Sequence, residues 1–305
     1  MDNGIVQLID TLQKKWKTIV ILVPFIWLTV FFLTPFVIVA KISLAELAIA
    51  SPPFTKMIDW VDDSIITVRV VLDNYIYIFD DPLYLRIYLN SIKIAALSTI
   101  FALLLGYPIA YAIVRSNPIT KKLLLFAIIL PFWTSFLLRV YAWMGLLADQ
   151  GSINNLLISL GIIDTPIRLL YTEFAVYVGI VYTYLPFMIL PLYANMEKLD
   201  NGLNEAAADL GSGPINTFFK ITLPLTTPGI IAGSLLVFIP ATGEYVIPDL
   251  LGGGNVQMIG RQLFNEFARN IDWPVASAVA IVLLLILVVP MAVYQHFQGK
   301  TAEIK

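Results

Sequence analysis

Apolar residues in this chain run in long unbroken blocks instead of alternating with polar ones. Crossing a bilayer takes about 20 mostly apolar residues. Six stretches qualify: Thr18–Ala40, Ser91–Val114, Leu123–Leu147, Phe174–Asn195, Thr226–Ile247 and Val275–Phe297. The pattern predicts an all-α membrane protein with six transmembrane helices. The third and fifth stretches are each interrupted by a charge, Arg139 and Glu244. The first follows Lys14, Lys15 and Lys17, as a signal peptide would. Its apolar run exceeds the ~7–15 residues of a removable signal, which favours a retained anchor.

Loop charges set the orientation. Segments 1–17, 115–122, 196–222 and 298–305 hold ten Lys or Arg in 60 residues, against seven in the 103 residues of 41–90, 148–173 and 248–274. The first set is therefore inner, and both termini are expected in the cytoplasm. Segment 41–90 carries seven acids against four bases, and an acidic outer face gathers cations. Its Trp60, Tyr75, Tyr77 and Tyr84 point to a segment packed on the membrane domain. Every span contains proline, and Gly229 and Gly233 form a step that permits close helix contact.

Composition narrows the function classes. With 59% hydrophobic and 13% charged residues, the chain is neither an ordinary soluble globule nor disordered. A net charge of −2 leaves no broad basic surface for nucleic acid. Cysteine is absent, and the single histidine, His296, lies near the end of the last apolar run. Metal clusters, thiol nucleophiles and a Ser-His-Asp triad are thereby disfavoured. No Gly-x-x-x-x-Gly-Lys-Ser/Thr loop occurs, and Gly252–Gly254 lies on the outer side without a lysine.

The inner segment 196–224 is the most informative. Asn204–Leu210 reads as a short helix with Asn204 as N-cap and Gly211 as terminator. Pro214 then opens a second short helix through Phe218 and Phe219, ahead of the fifth span. Glu205-Ala206-Ala207, Gly211, Ile221 and Leu223-Pro224 fall at the spacing Glu-Ala-Ala, three residues, Gly, nine residues, Ile-x-Leu-Pro. This resembles the signature loop of binding-protein-dependent ABC importer permeases of type I. Leu130-Pro131-Phe132-Trp133-Thr134, Leu251-Gly252-Gly253 and Asp272-Trp273-Pro274 resemble the polyamine group of that family. The run 238–253 is most similar to its putrescine-type members; the spermidine-preferring members differ at Glu244.

The resemblance implies a six-helix permease with its coupling helix in the inner loop, in a bacterial inner membrane. It implies a heteromeric importer: a second related permease, two cytoplasmic ATPase subunits and a periplasmic binding protein. ATP and magnesium would be bound by the ATPase subunits, with no cofactor, metal or catalytic residue in this chain. The expected organisation is a cytoplasmic segment 1–17, the first helix plus outer segment 18–90, a core permease domain 91–297 and a cytoplasmic tail 298–305.

Ionisable groups inside a membrane mark a pathway or a pair. Arg139 lies 16 residues into the third stretch and Glu244 18 past Thr226. At 1.5 Å per residue these are depths of about 24 and 27 Å. Glu244 is a candidate holder of a substrate ammonium, with Asp249 near the outer mouth. Trp133, Tyr141, Trp143, Tyr182, Tyr184 and Tyr245 would add cation–π attraction. An Arg139–Glu244 ion pair that pins two helices is the competing reading. Spermidine, ferric iron, sulfate and thiamine remain alternative cargoes, while an intramembrane enzyme, a channel or an ion-coupled carrier would not need the coupling loop.

Overall fold

The computed structural model describes residues 16, 18, 20–62, 65–200 and 202–302. Lys14, Lys15 and Lys17 lie outside these residues, as do the side chains of Trp60 and His296. The chain divides into two compact units, 1–80 with 266–305, and 81–265.

The first unit contains α1, Val20–Ile42, and α12, Trp273–Ala302, which is apolar over Trp273–Val288. Between them in sequence lie an antiparallel hairpin, β1 (Ile58–Asp62) with β2 (Ile65–Val68), and α2, Asp73–Asp80. Tyr75 anchors α2, its hydroxyl 2.7 Å from Ser43 Oγ. Asn74 donates to the Ser43 and Ala45 carbonyls. Apart from the hairpin, all regular structure among the described residues is helical.

The second unit is built on α3 (Pro82–Arg115), α7 (Glu173–Met196) and α9 (Pro214–Thr242), which pack on one another. Their starts are specified locally. Asp81 accepts from the Leu83 amide, Thr172 from the Ala175 amide, and proline opens α3 and α9. The Gly229–Gly233 step seats α9 against α7: a Cβ at Gly233 would lie 2.8 Å from Met188 Sδ, and one at Gly229 2.8 Å from Asn195 Cβ. Two apolar cores result. One surrounds Met188, Ile189 and Leu192; the other joins Ile94 and Ile180 to Ile247, Leu251 and Met258.

The expected spans need three corrections. The second helix begins at Pro82 instead of Ser91. The third stretch is not one straight helix: α4 (Pro118–Ile129) ends in a 3₁₀ turn, Leu130–Trp133, and α5 (Phe136–Leu147) restarts after Ser135. With α6 (Ser152–Ser159) included, the two halves bend by 94°. Pro131 removes a donor, and Thr134 turns its hydroxyl onto the Pro131 carbonyl instead of continuing the helix. The depth arithmetic for Arg139 therefore fails. The fifth helix ends at Thr242, so Glu244 lies in a break before α10, Val246–Leu250. Four helices among the described residues are individually long and apolar enough to span, or five if the bent pair counts as one span.

Candidate functional site

The inner loop is built from short-range rules. Helix α8, Gly202–Asp209, starts where Asp200 Oδ1 accepts from the Gly202 amide. Asn204 therefore lies inside the helix and is not its cap. At the other end, Gly211 has φ +80°, its amide bonds to Ala208 O, and the Ser212 amide bonds to Ala207 O. This pair of bonds is a Schellman closure, which needs a left-handed residue after the last turn. Pro214 then opens α9, which is continuous with the fifth span, so no separate second helix forms. A π-turn, Phe218–Thr222, eases the passage to Pro224, which lacks the donor for an ordinary turn.

Glu205, Ala206, Gly211 and Pro224 are exposed, Ile221 and Leu223 are half-buried, and Ala207 is buried. The apolar side chains Leu203, Leu210, Ile215 and Phe219 are also exposed, Leu210 by 89%. Phe218 turns inward, its ring 5.6 Å from Tyr107. A cleft of ≈ 240 Å³ lies under the loop, lined by Tyr111, Arg115, Ser212 and Phe218 among others. The loop thus presents an apolar patch on a shaped base.

The second candidate site centres on Glu244, which is 9% exposed. Its Oε2 accepts from the Tyr184 hydroxyl at 2.6 Å. Its Oε1 accepts from the amides of Tyr245 at 3.1 Å, Val246 at 3.0 Å and Ile247 at 3.5 Å. The carboxylate thus closes the start of α10 and tethers it to α7. The competing reading, an Arg139–Glu244 pair, is not formed among the described residues. The Arg139 guanidinium lies over Phe132 and Phe136, at 5.3 and 6.0 Å, because the break before α5 gives it aromatic neighbours.

Asp249 is half-buried and paired with Arg261, Nε to Oδ1 at 2.8 Å. Arg261, on α11 (Ile259–Phe264), also donates to the Gly253 carbonyl. Sequence spacing gave no signal for this cation, since it acts from a separate short helix. Tyr184 joins Glu244 directly; Tyr245 stacks on Phe264 at 4.8 Å. Tyr182 contacts Trp143 edge-on at 5.5 Å. Tyr141 and Trp133 are exposed, Trp133 in a T-shaped contact with Phe126. The sequence reading missed Phe187 and Phe132, whose rings link Tyr184 to Arg139 at 6.1, 5.4 and 5.3 Å steps. Chemically, this wall offers a carboxylate with a hydroxyl beside apolar ring faces, a setting that suits an alkylammonium.

The chain is similar to known proteins. Residues 98–302 match the family model described as binding-protein-dependent transport system inner membrane component. The chain is 40% identical over 283 residues to the spermidine/putrescine transport system permease protein PotB of Haemophilus influenzae, covering 93% of this chain and 94% of that protein. It is 43% identical over 233 residues to PotB of Escherichia coli, covering 76% and 84%. The fold is similar to a chain of a bacterial ABC transporter that imports alginate, with TM-score 0.69 and 17% identity over 96% of this chain and 99% of that one.

Proposed function

The chain belongs to the family of binding-protein-dependent transport system inner membrane components, and we propose that it is the permease subunit of an ATP-driven polyamine importer. The single observation that carries the cargo is the 40% identity across 93% of the chain to a spermidine/putrescine permease. The Glu244–Tyr184 wall supports it chemically. Between the two polyamines, the reading of putrescine rests on the resemblance of the run 238–253 to putrescine-type members.

In this reading the chain hydrolyses nothing. Two cytoplasmic ATPase subunits bind ATP and magnesium, a second permease completes the pathway, and a periplasmic binding protein delivers cargo. Glu205, Ala206, Ala207, Gly211, Ile221, Leu223 and Pro224 form the coupling segment that seats in an ATPase subunit. Closure of the ATPases draws the coupling segments together and turns the bundle outward. Glu244 then holds one ammonium, with Tyr184 and Tyr245 beside it, and Tyr182 acts from its place against Trp143. Trp133 from the turn before α5 and Tyr141 from α5 face cargo, and Asp249 receives it on release from Arg261. The site holds cargo weakly, since it must let go.

The test is ATP-dependent uptake of labelled putrescine into proteoliposomes holding the whole complex, with spermidine as competitor. Saturable uptake resistant to excess spermidine supports putrescine. Uptake displaced by spermidine moves the cargo to spermidine. Binding-protein-stimulated ATPase activity without uptake of either removes the polyamine and keeps the importer.

A further inference from the structure

Glu244 and Asp249 lie on one short segment, the first in the break and the second on α10. Their partners differ in kind. Glu244 is held by a hydroxyl and three amides, Asp249 by the cation of Arg261. Arg261 divides its nitrogens between two tasks. Nε meets Asp249 Oδ1 at 2.8 Å, while Nη1 donates to the Gly253 carbonyl and reaches the Val256 carbonyl at 3.5 Å. Asp249 Oδ2 accepts nothing among the described residues. The two side chains are 16% and 33% exposed, so this pair exchanges more readily than a fully buried one.

The base of Arg261 is fixed. A Cβ at Gly260 would collide with the Gly243 carbonyl, so α11 lays its backbone directly on the break that holds Glu244. Phe264 of the same helix stacks on Tyr245. The turn between α10 and α11 is also held without the arginine. The Tyr171 amide donates to the Leu251 carbonyl at 2.8 Å, Asn255 to the Tyr171 carbonyl at 3.0 Å and Asn90 to the Gln257 carbonyl at 2.9 Å. Arg261 therefore joins a turn that other bonds already shape. What it alone brings to Asp249 is a charge.

We propose that Arg261 is a tethered competitor for Asp249, which displaces the second ammonium of a diamine and so sets how weakly the pathway holds doubly charged cargo. The inference rests on the cargo reading above and deepens it. When an ammonium takes Asp249, Arg261 gives up the Nε bond and keeps its two carbonyl contacts, so its charge is not stranded. A guanidinium can divide itself in this way because its donors point along separate edges. Being part of the chain, it returns at a high effective concentration, which favours release. A monoamine held at Glu244 alone does not meet this competitor. The effect of Arg261 is thus confined to cargo with a second charge.

The whole complex in nanodiscs, trapped with ATP and vanadate, is titrated with labelled putrescine and with labelled 1-aminobutane, which lacks the second charge. In Arg261→Gln the ratio of putrescine affinity to aminobutane affinity should rise at least several-fold. Putrescine uptake at saturation, measured in proteoliposomes, should fall several-fold because release is slowed. A side chain that merely props the turn would lower affinity and uptake together. Arg261→Lys restores a charge and should bring the ratio back toward wild type. Asp249→Asn removes the contested acid, so the ratio should drop, and adding Arg261→Gln should change it no further. An unchanged or lower ratio in Arg261→Gln overturns the proposal. Should that variant fail to assemble, Asp249→Asn decides: a lowered ratio supports the proposal and a wild-type ratio overturns it. If the wild type binds neither amine, the cargo reading falls and takes this one with it, whereas wild-type binding with an unmoved ratio in Arg261→Gln removes this one alone.

Discussion

The Tyr184 hydroxyl donates to Glu244 Oε2 at 2.6 Å, from the middle of α7 to the break after α9. A residue read as a substrate carboxylate is thus also a structural clamp, because its other oxygen faces three backbone amides. These roles separate by substitution. Glu244→Gln keeps an oxygen for the amides and removes the charge. Uptake should fall by roughly tenfold or more, the effect of losing a charged hydrogen bond of about 1.5–3 kcal/mol. The complex should still assemble. Glu244→Ala instead leaves several buried donors unmet, at about 1–3 kcal/mol each, and should lower yield and thermal stability. Uptake by Glu244→Gln equal to wild type would take Glu244 out of the pathway.

Tyr184→Phe isolates the hydroxyl. The ring contact to Phe187 at 6.1 Å survives, while one acceptor site on Glu244 opens. A carboxylate freed of its hydroxyl partner binds an ammonium differently, so half-saturation for cargo should shift several-fold with assembly unchanged. Uptake kinetics in proteoliposomes decide it; an unchanged half-saturation with impaired assembly would make Tyr184 a packing residue only.

The apolar patch on the inner loop is a separate matter from stability. Ile215 and Phe219 are 74% and 60% exposed, so changing them costs the chain little of its own packing. Ile215→Glu and Phe219→Ser should leave thermal unfolding of the isolated permease pair within about 0.5 kcal/mol of wild type. The ATPase subunits should nevertheless dissociate during purification. Normal co-purification and ATP-driven uptake in both variants would move the coupling surface elsewhere.

The inner loop was legible because its rules are local: a left-handed position calls for Gly211, and a missing donor suits Pro214 at a helix start. The break in the third stretch was not legible. Pro108, Pro186, Pro191 and Pro228 stay inside helices, whereas Pro131 ends one. The difference is tertiary. Helices α3, α7 and α9 hold one another straight, while α4 and α5 have few such neighbours and bend where donors run out. Glu244 stands out by its cost in an apolar stretch and Tyr184 as a ring near the pathway, but not the hydrogen bond that joins them. Tyr184 is 60 residues away, and hydropathy carries no information on which side chains meet. For the same reason hydropathy could not decide between the two readings of Arg139, which lies over Phe132 and Phe136 and not on Glu244.

Gly211 gives the sharpest test of the loop, because conformation and space are separable there. A Cβ at this position would meet nothing within 4 Å, so no clash opposes a side chain. The φ of +80° does oppose it. A left-handed non-glycine residue costs about 1–2 kcal/mol, less for Asn, which tolerates that region. The predicted order of ATPase co-purification is therefore Gly, then Gly211→Asn, then Gly211→Ala, with Gly211→Val lowest. A bulk-driven site would instead rank the variants by side-chain volume, placing Ala above Asn. The strain acts on the Ser212 and Gly211 amides that close α8, so hydrogen exchange at those two amides should rise in the same order. The span beyond Pro214 should stay protected, since its helix begins after the turn. Asn exceeding Ala in both readouts ties coupling to the backbone turn; Ala exceeding Asn in both would leave the Schellman closure without a part in ATPase docking.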